Sequence, residues 1–249
     1  MTSSNLPTKV IAGITVVDTA LVGAAQEYAR AHADEMTYNY VMRSWLFGVT
    51  IYNHLRQKDA IPAIDIEAHA LSAILHDLGW DNTGEFVSKN RRFEVDGAIA
   101  ASEWINEQQK HGKAVDWDKH RVQLVWDSIA LHTTASIAQY KETNVEMCRL
   151  GIMADFQGPN SDASGTLTWD EFNVIKKEFP RHNLASGVRD IIVSFCKTKP
   201  ATTYGKVSLI EQTDNELTRV QTASRGHMVG SLLKDTRKVL TPPMVSPWE

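Results

Sequence analysis

The sequence predicts an all-α protein, a single helical domain with short N- and C-terminal extensions. Apolar residues recur at helical spacing along most of the chain, as in Leu71, Ile74, Leu75 and Leu78. No segment shows a convincing alternation of polar and apolar residues, so no strand is predicted. A chain of 249 residues is long enough to bury one substantial core.

The helices are delimited by capping and turn residues. Asp18 is predicted to cap the first helix, and Gly79 is predicted to follow the third as its C′ residue. The sequence "TWDE" at 168–171 is a capping box that opens a further helix, after a polar loop at 158–166. The predicted helices cover about residues 19–33, 37–56, 64–78, 94–110, 117–134, 142–156, 168–177 and 184–199.

The predicted organisation has three parts. Residues 1–17 form an N-terminal extension and residues 18–222 form the helical domain. Residues 223–249 are predicted to hold a C-terminal helix and a Pro-rich tail, "LTPPMVSPWE".

Composition excludes several classes of function. The chain is 43% hydrophobic and 22% charged, with a formal net charge of −4 and a pI near 6.1, which gives no electrostatic basis for binding nucleic acid or an anionic membrane. No stretch approaches the ~18 apolar residues of a membrane span. Two cysteines are too few for a disulfide framework, so a reducing, cytoplasmic location is expected. The sequence leaves open whether the chain forms a homo-oligomer.

In each of three predicted helices, the apolar stripe ends at a residue that could bind a metal. His76 and Asp77 follow the stripe of the third helix, in "ILHDLGW". His132 continues the stripe of the 117–134 helix, and Asp155 continues that of the 142–156 helix. Each alone is weak evidence, because a lone buried histidine is usually hydrogen-bonded in the core and a lone aspartate is usually a solvated cap. Their agreement predicts a site for a hard or borderline divalent metal.

Several segments resemble the HD-domain metalloenzyme superfamily, and more narrowly its fungal cyanamide hydratase branch. The resemblance runs from about residue 18 to residue 210. It is carried by "ILHDLGW" (74–80), "RFEVDGAIAASEWI" (92–105), "VWDSIALHT" (125–133), "GIMADFQG" (151–158), "EFPRHNL" (178–184) and "CKTKPATTY" (196–204). It implies an all-α fold, a zinc or iron(II) ion, and the addition of water to the nitrile of cyanamide.

Carried over by position, the resemblance makes His76 and Asp77 the central metal ligands and Asp155 the closing one. His132 corresponds to a site histidine near the metal or the substrate. The chain departs from the family at its first ligand, because "TYNYVMRSW" places Tyr40 where the family has histidine. A phenol with a reference pKa near ~10 is a rare zinc ligand, so the metal is expected to be weakly bound or absent.

The predicted chemistry is attack on a small substrate by a metal-bound hydroxide. Asp77 is predicted to accept the proton of the water, and His132, Tyr40 or Lys89 to donate to the developing negative charge. Tyr40 lies on an inward stripe that also holds Phe47, and both are predicted to contact the substrate. Arg43 is predicted either to contact the substrate or to form a structural ion pair with a carboxylate.

Three interpretations of function remain open from the sequence. The first is a hydratase or hydrolase of the cyanamide hydratase type. The second is a phosphohydrolase, which would need a basic cluster, and only Lys89, Arg91 and Arg92 are close in sequence. The third is a diverged, metal-poor relative that binds or transforms a biosynthetic intermediate.

Overall fold

The computed structural model describes residues 6–58, 60–81, 83–161 and 166–199. This part of the chain is mostly helical, which confirms the all-α prediction. Its elements are β1 (Thr8–Ile11), β2 (Ile14–Val17), α1 (Ala20–His32), α2 (Glu35–Gln57), α3 (Ile66–Leu75), α4 (Phe93–Lys110), α5 (Lys119–Leu131), α6 (Ala135–Ala138), α7 (Thr143–Gln157), α8 (Trp169–Glu178) and α9 (Leu184–Thr198). The predicted C-terminal helix and tail at 223–249 lie outside the described residues.

The prediction that the N-terminal extension has no strand is wrong. β1 and β2 pair antiparallel, with Thr8 opposite Val17. The turn between them places Ala12 at φ 50° and Gly13 at φ 78°, the left-handed pair of a type I′ hairpin turn. Val16 and Val17 are buried, so the hairpin packs on the helical core.

Side-chain caps fix the starts of most helices. Thr19 rather than Asp18 caps α1, accepting a hydrogen bond from the backbone N–H of Val22, while Asp18 pairs with Lys9 at 2.9 Å. The predicted capping box of α8 is confirmed, with Thr168 and Glu171 each accepting a hydrogen bond from the other's backbone.

The centre of the fold is the contact between α2 and α7. Two glycines allow the two backbones to touch: a Cβ on Gly151 would lie 2.4 Å from the carbonyl oxygen of Ser44 and 2.7 Å from the nitrogen of Gly48. α3 packs against both helices, and His69 lies against Gly48. The close α2–α7 packing holds the last turn of α7 beside the first half of α2.

α3 ends one turn earlier than predicted. Its last helical residue is Leu75, His76 is its C-cap, and a short 3₁₀ turn follows at Leu78–Trp80. Gly79 is not a left-handed C′ residue. A Cβ at Gly79 would lie 2.0 Å from the carbonyl oxygen of Phe93, so glycine is needed because the turn touches the start of α4.

Within the described residues, every helix is too short or too polar to span a membrane.

Candidate metal centre

His76 and His132 occupy the same position in two different helices. His76 is the C-cap of α3, and His132 is the C-cap of α5. The Nδ1 atom of His76 lies 2.8 Å from the carbonyl oxygen of Ala73, and that of His132 lies 2.6 Å from the carbonyl oxygen of Ile129. Because a carbonyl only accepts hydrogen bonds, each Nδ1 carries the proton and each Nε2 presents a lone pair.

Asp77 completes a cluster with the two histidines. One ligand atom from each of His76, Asp77 and His132 lies within 4.8 Å of the others, and all three residues are buried. His76 Nε2 is 3.2 Å from Asp77 Oδ2. Neither of these atoms has a hydrogen-bond partner among the described residues, and nor does Asp77 Oδ1. The three residues could hold a metal ion.

Burial keeps His132 ready to bind a cation. Desolvation, with a further contribution from the neighbouring His76, lowers the pKa of His132 to about 4. Both histidines sit at helix C-termini, where the negative end of the helix dipole favours a cation. The site therefore combines the neutral imidazole of His132 with a local field that attracts positive charge.

Asp155 lies outside this ligand cluster. Its carboxylate is buried and accepts hydrogen bonds from Arg43, at 2.7 Å from Nη2 and 2.9 Å from Nε. Arg43 also donates to the carbonyl oxygens of Phe179 and Pro180. Of the two roles predicted for Arg43, the structure has the ion pair, and the predicted metal ligand Asp155 is its partner.

Tyr40 lies beside the cluster, as its stripe predicted. Its ring meets that of His76 edge-on with centroids 5.2 Å apart. Burial, together with the nearby carboxylates of Asp77 and Asp155, raises the pKa of Tyr40 well above its ordinary value. The phenol is therefore neutral, which makes it a hydrogen-bond donor and a poor metal ligand.

Two other predicted site residues lie elsewhere. Phe47 is buried, but it stacks on Phe172 of α8 with ring centroids 5.0 Å apart. It sits two helical turns from Tyr40, about 10 Å along the axis of α2. Lys89, proposed as a donor, is exposed on the loop before α4.

The first turn of α4 contributes two buried acidic residues beside the cluster. The buried Glu94 accepts hydrogen bonds from the hydroxyl of Thr133, the neighbour of His132, and from Arg92 at 3.0 Å. The buried Asp96 pairs with Lys199 at the end of α9 and with Arg91. Although burial alone would raise it, these bonds hold the pKa of Asp96 below its ordinary value.

Neither the role of Lys199 nor the aromatic contacts of α9 were predicted from the sequence. Phe195 of α9 stacks on Phe93 with centroids 5.5 Å apart, and Phe93 in turn contacts His132 at 5.7 Å. α9 thus packs on Phe93, which lies against the candidate cluster, and the buried Lys199 ties the end of α9 to Asp96. The amphipathic pattern of 184–199 predicted the helix, but it could not show what the helix covers.

No protein-family model matches this chain, and no curated protein matches it.

Proposed function

We propose that this chain is an HD-type metal-dependent hydratase or hydrolase that adds water to a small nitrile-type substrate resembling cyanamide. One observation carries the proposal: His76 Nε2 and Asp77 Oδ2 are buried acceptor atoms 3.2 Å apart, without hydrogen-bond partners among the described residues. Two acceptor atoms this close repel each other, and buried polar atoms without partners are costly. A cation held by both atoms and by His132 removes both costs.

The ligand set fits a catalytic metal. Two imidazoles and one carboxylate suit zinc or iron(II), and three protein ligands leave positions open for water and substrate. When bound, such an ion supplies a Lewis acid that activates water near neutral pH. Asp77 Oδ1 has no hydrogen-bond partner among the described residues, which supports its proposed role as the acceptor of a proton from water.

The charges around the cluster favour an uncharged substrate over a phosphate ester. A phosphohydrolase needs cations to hold the phosphate. The basic residues around the cluster instead contact buried carboxylates or are exposed: Arg43 and Arg181 contact Asp155, Arg92 contacts Glu94, Arg91 and Lys199 share Asp96, and Lys89 is exposed. A cation that already contacts a buried carboxylate is less free to hold a phosphate.

Tyr40 supports a second candidate, a diverged relative with a weakened metal site that acts on a biosynthetic intermediate. It stands where the resemblance places a ligand histidine, and its buried phenol stays protonated. A neutral phenol adds little to metal binding, so the affinity would rest on three ligands.

Elemental analysis and a substrate screen test the two candidates. Wild-type protein, His76→Gln and His69→Gln are purified, loaded with zinc or iron(II), and assayed for bound metal. His69 is the matched control, a buried histidine on the same helix outside the cluster. We expect about one ion per chain in wild type and His69→Gln, and almost none in His76→Gln.

The loaded proteins are then given cyanamide, small nitriles and nucleotides. Turnover of a nitrile that depends on metal and on His76 supports the hydratase. Turnover of nucleotides instead would replace it with the phosphohydrolase. A chain that retains no metal would favour the diverged relative.

A further inference from the structure

Five aromatic side chains form a closed circuit of ring contacts at the metal cluster. The centroid distances are 4.9 Å for His76–His132, 5.7 Å for His132–Phe93, 5.6 Å for Phe93–Trp80, 5.9 Å for Trp80–Tyr40 and 5.2 Å for Tyr40–His76. The two histidines are neighbours in this circuit, and Trp80 makes no ring contact with either of them. Trp80 therefore lies across the circuit from the metal-binding pair.

The indole N–H of Trp80 is an unused donor within the described part of the chain. Its Nε1 atom is buried and has no hydrogen-bond partner among the described residues. An indole N–H can only donate, and buried tryptophans usually find an acceptor. Leaving such a donor unsatisfied costs ~1–3 kcal/mol, so a partnerless donor at a candidate site points to a missing acceptor.

The segment 76–80, which ends at Trp80, holds other atoms without hydrogen-bond partners. His76 Nε2 and both carboxylate oxygens of Asp77 also lack hydrogen-bond partners among the described residues. Those three are acceptors that a cation would satisfy, whereas the Trp80 nitrogen is a donor that needs an acceptor. A metal alone cannot satisfy all four atoms.

In the described part of the chain, two further aromatic side chains have ring nitrogens without hydrogen-bond partners, and both lie outside the circuit. His69 packs against Gly48, and Trp45 is fully buried on α2. Neither makes a ring contact with the five residues of the circuit. Trp80 is therefore distinguished by its position as well as by its unused donor.

We propose that Trp80 binds the substrate of the metal centre, its indole N–H donating a hydrogen bond to an acceptor atom of a small molecule lying between it and the histidine pair. This inference rests on the proposed function. When water adds to a nitrile-type carbon, the nitrile nitrogen bonded to that carbon gains negative charge. A fixed donor facing that atom stabilises the charge.

The surroundings of Trp80 suit this role. Its ring stacks on Tyr40 with an interplanar angle of 17° and also contacts Phe93, so the plane of the indole is set by two neighbours. A donor held in place before the substrate arrives loses little freedom on binding. Lys89, the donor predicted in this loop region from the sequence, is exposed and leaves the role open.

Nuclear magnetic resonance of the indole groups tests the inference. The full chain, ¹⁵N-labelled and loaded with zinc, gives one indole N–H signal for each of its 7 tryptophans. Trp80→Phe identifies the Trp80 signal, because it keeps an aromatic ring and removes the N–H. If that variant does not fold, triple-resonance assignment of the wild type identifies it. The probe is sodium azide, a linear anion that takes open positions on metals.

Azide should move the Trp80 signal downfield and leave that of the exposed Trp169 in place. Calorimetry should show azide affinity lower by about tenfold or more in Trp80→Phe, as expected for a lost hydrogen bond to a charged acceptor. The control Trp169→Phe should keep wild-type affinity, since that side chain is 56% exposed.

Metal content, measured first with zinc and with iron(II), separates the proposed function from the role of Trp80. A chain that takes up neither ion overturns the proposed function and this inference with it. A chain that takes up zinc but binds no azide, or binds it with the Trp80 signal unmoved and Trp80→Phe unaffected, overturns the role of Trp80 and leaves the metal centre standing.

Discussion

Replacing Asp155 by asparagine tests whether this residue holds the fold or the metal. The exchange keeps the shape of the side chain and removes its charge. Asp155 and Arg43 are both fully buried, with hydrogen bonds of 2.7, 2.9 and 3.0 Å between them. An arginine guanidinium keeps its proton in proteins. Asp155→Asn therefore leaves a buried guanidinium without its counter-charge.

The structure sets the size of the effect. Removing one partner of a buried ion pair costs ~3–5 kcal/mol, a large share of the ~5–15 kcal/mol by which a domain is stable. For a chain of this size each kcal/mol corresponds to ~2–4 °C, so the midpoint of thermal unfolding should fall by ~6–20 °C. Zinc affinity of the folded protein should change little, because the ligand cluster consists of His76, Asp77 and His132.

Circular dichroism of the zinc-free protein gives the unfolding midpoint, and competition with a chromophoric chelator gives the zinc affinity. The double variant Arg43→Met with Asp155→Leu is the control, since removing both charges should recover much of the lost stability. The reasoning fails if Asp155→Asn unfolds within a few degrees of wild type while zinc binding weakens by ~10–100-fold or more. Asp155 would then be the metal ligand that the sequence predicted.

Four further predictions concern the candidate site, the helix α9 beside it and the buried His69. Tyr40→His places an imidazole beside His76 and should raise zinc affinity by at least ~10-fold in a chelator competition; unchanged affinity would mean that position 40 does not reach the ion. Asp77→Ala should abolish zinc retention while the helical circular dichroism persists, and loss of the fold with retained metal would make Asp77 structural. Lys199→Met should release the end of α9 and speed the carbethoxylation of His132, mapped by mass spectrometry, while the half-exposed His54 reacts as before; equal His132 rates would show that α9 is not a cover. Burial lowers the pKa of His69 from 6.5 to about 4, so the unfolded chain takes up this proton at a higher pH than the folded chain does, and stability falls as pH drops from 6.5 towards 4. His69→Leu should flatten this pH dependence of the free energy of unfolding, measured in urea. An unchanged pH dependence would contradict the prediction.

The helices and part of the site could be predicted from local patterns. The 3.6-residue period gave most helices to within a few residues, because each helix buries one continuous apolar face. The same period placed His76 and His132 at inward helix ends, where the structure brings them together with Asp77. The N-terminal hairpin was missed because each strand has only four residues, too few for an alternation to be distinguished from chance.

Partnerships between distant segments could not be predicted in this way. Asp155 faces inward as predicted, but Arg43, 112 residues away in sequence, takes up its carboxylate. Lys199 reaches Asp96 across a separation of 103 residues. A carboxylate on an inward face can meet a metal or a guanidinium, and only the packing of α2 against α7 decides which one lies within reach.

The sequence by itself determined the all-α class, the capping box of α8 and the inward placement of the residues at the candidate site. These are properties of single helices, fixed by side chains three or four residues apart. Tertiary structure decided which inward groups share a space: His76, Asp77 and His132 in one cluster, Asp155 with Arg43, and Trp80 across a circuit of rings from the histidines. The physical reason is that burial leaves no water to satisfy a polar atom, so its role depends on the partner that the fold brings within about 3 Å.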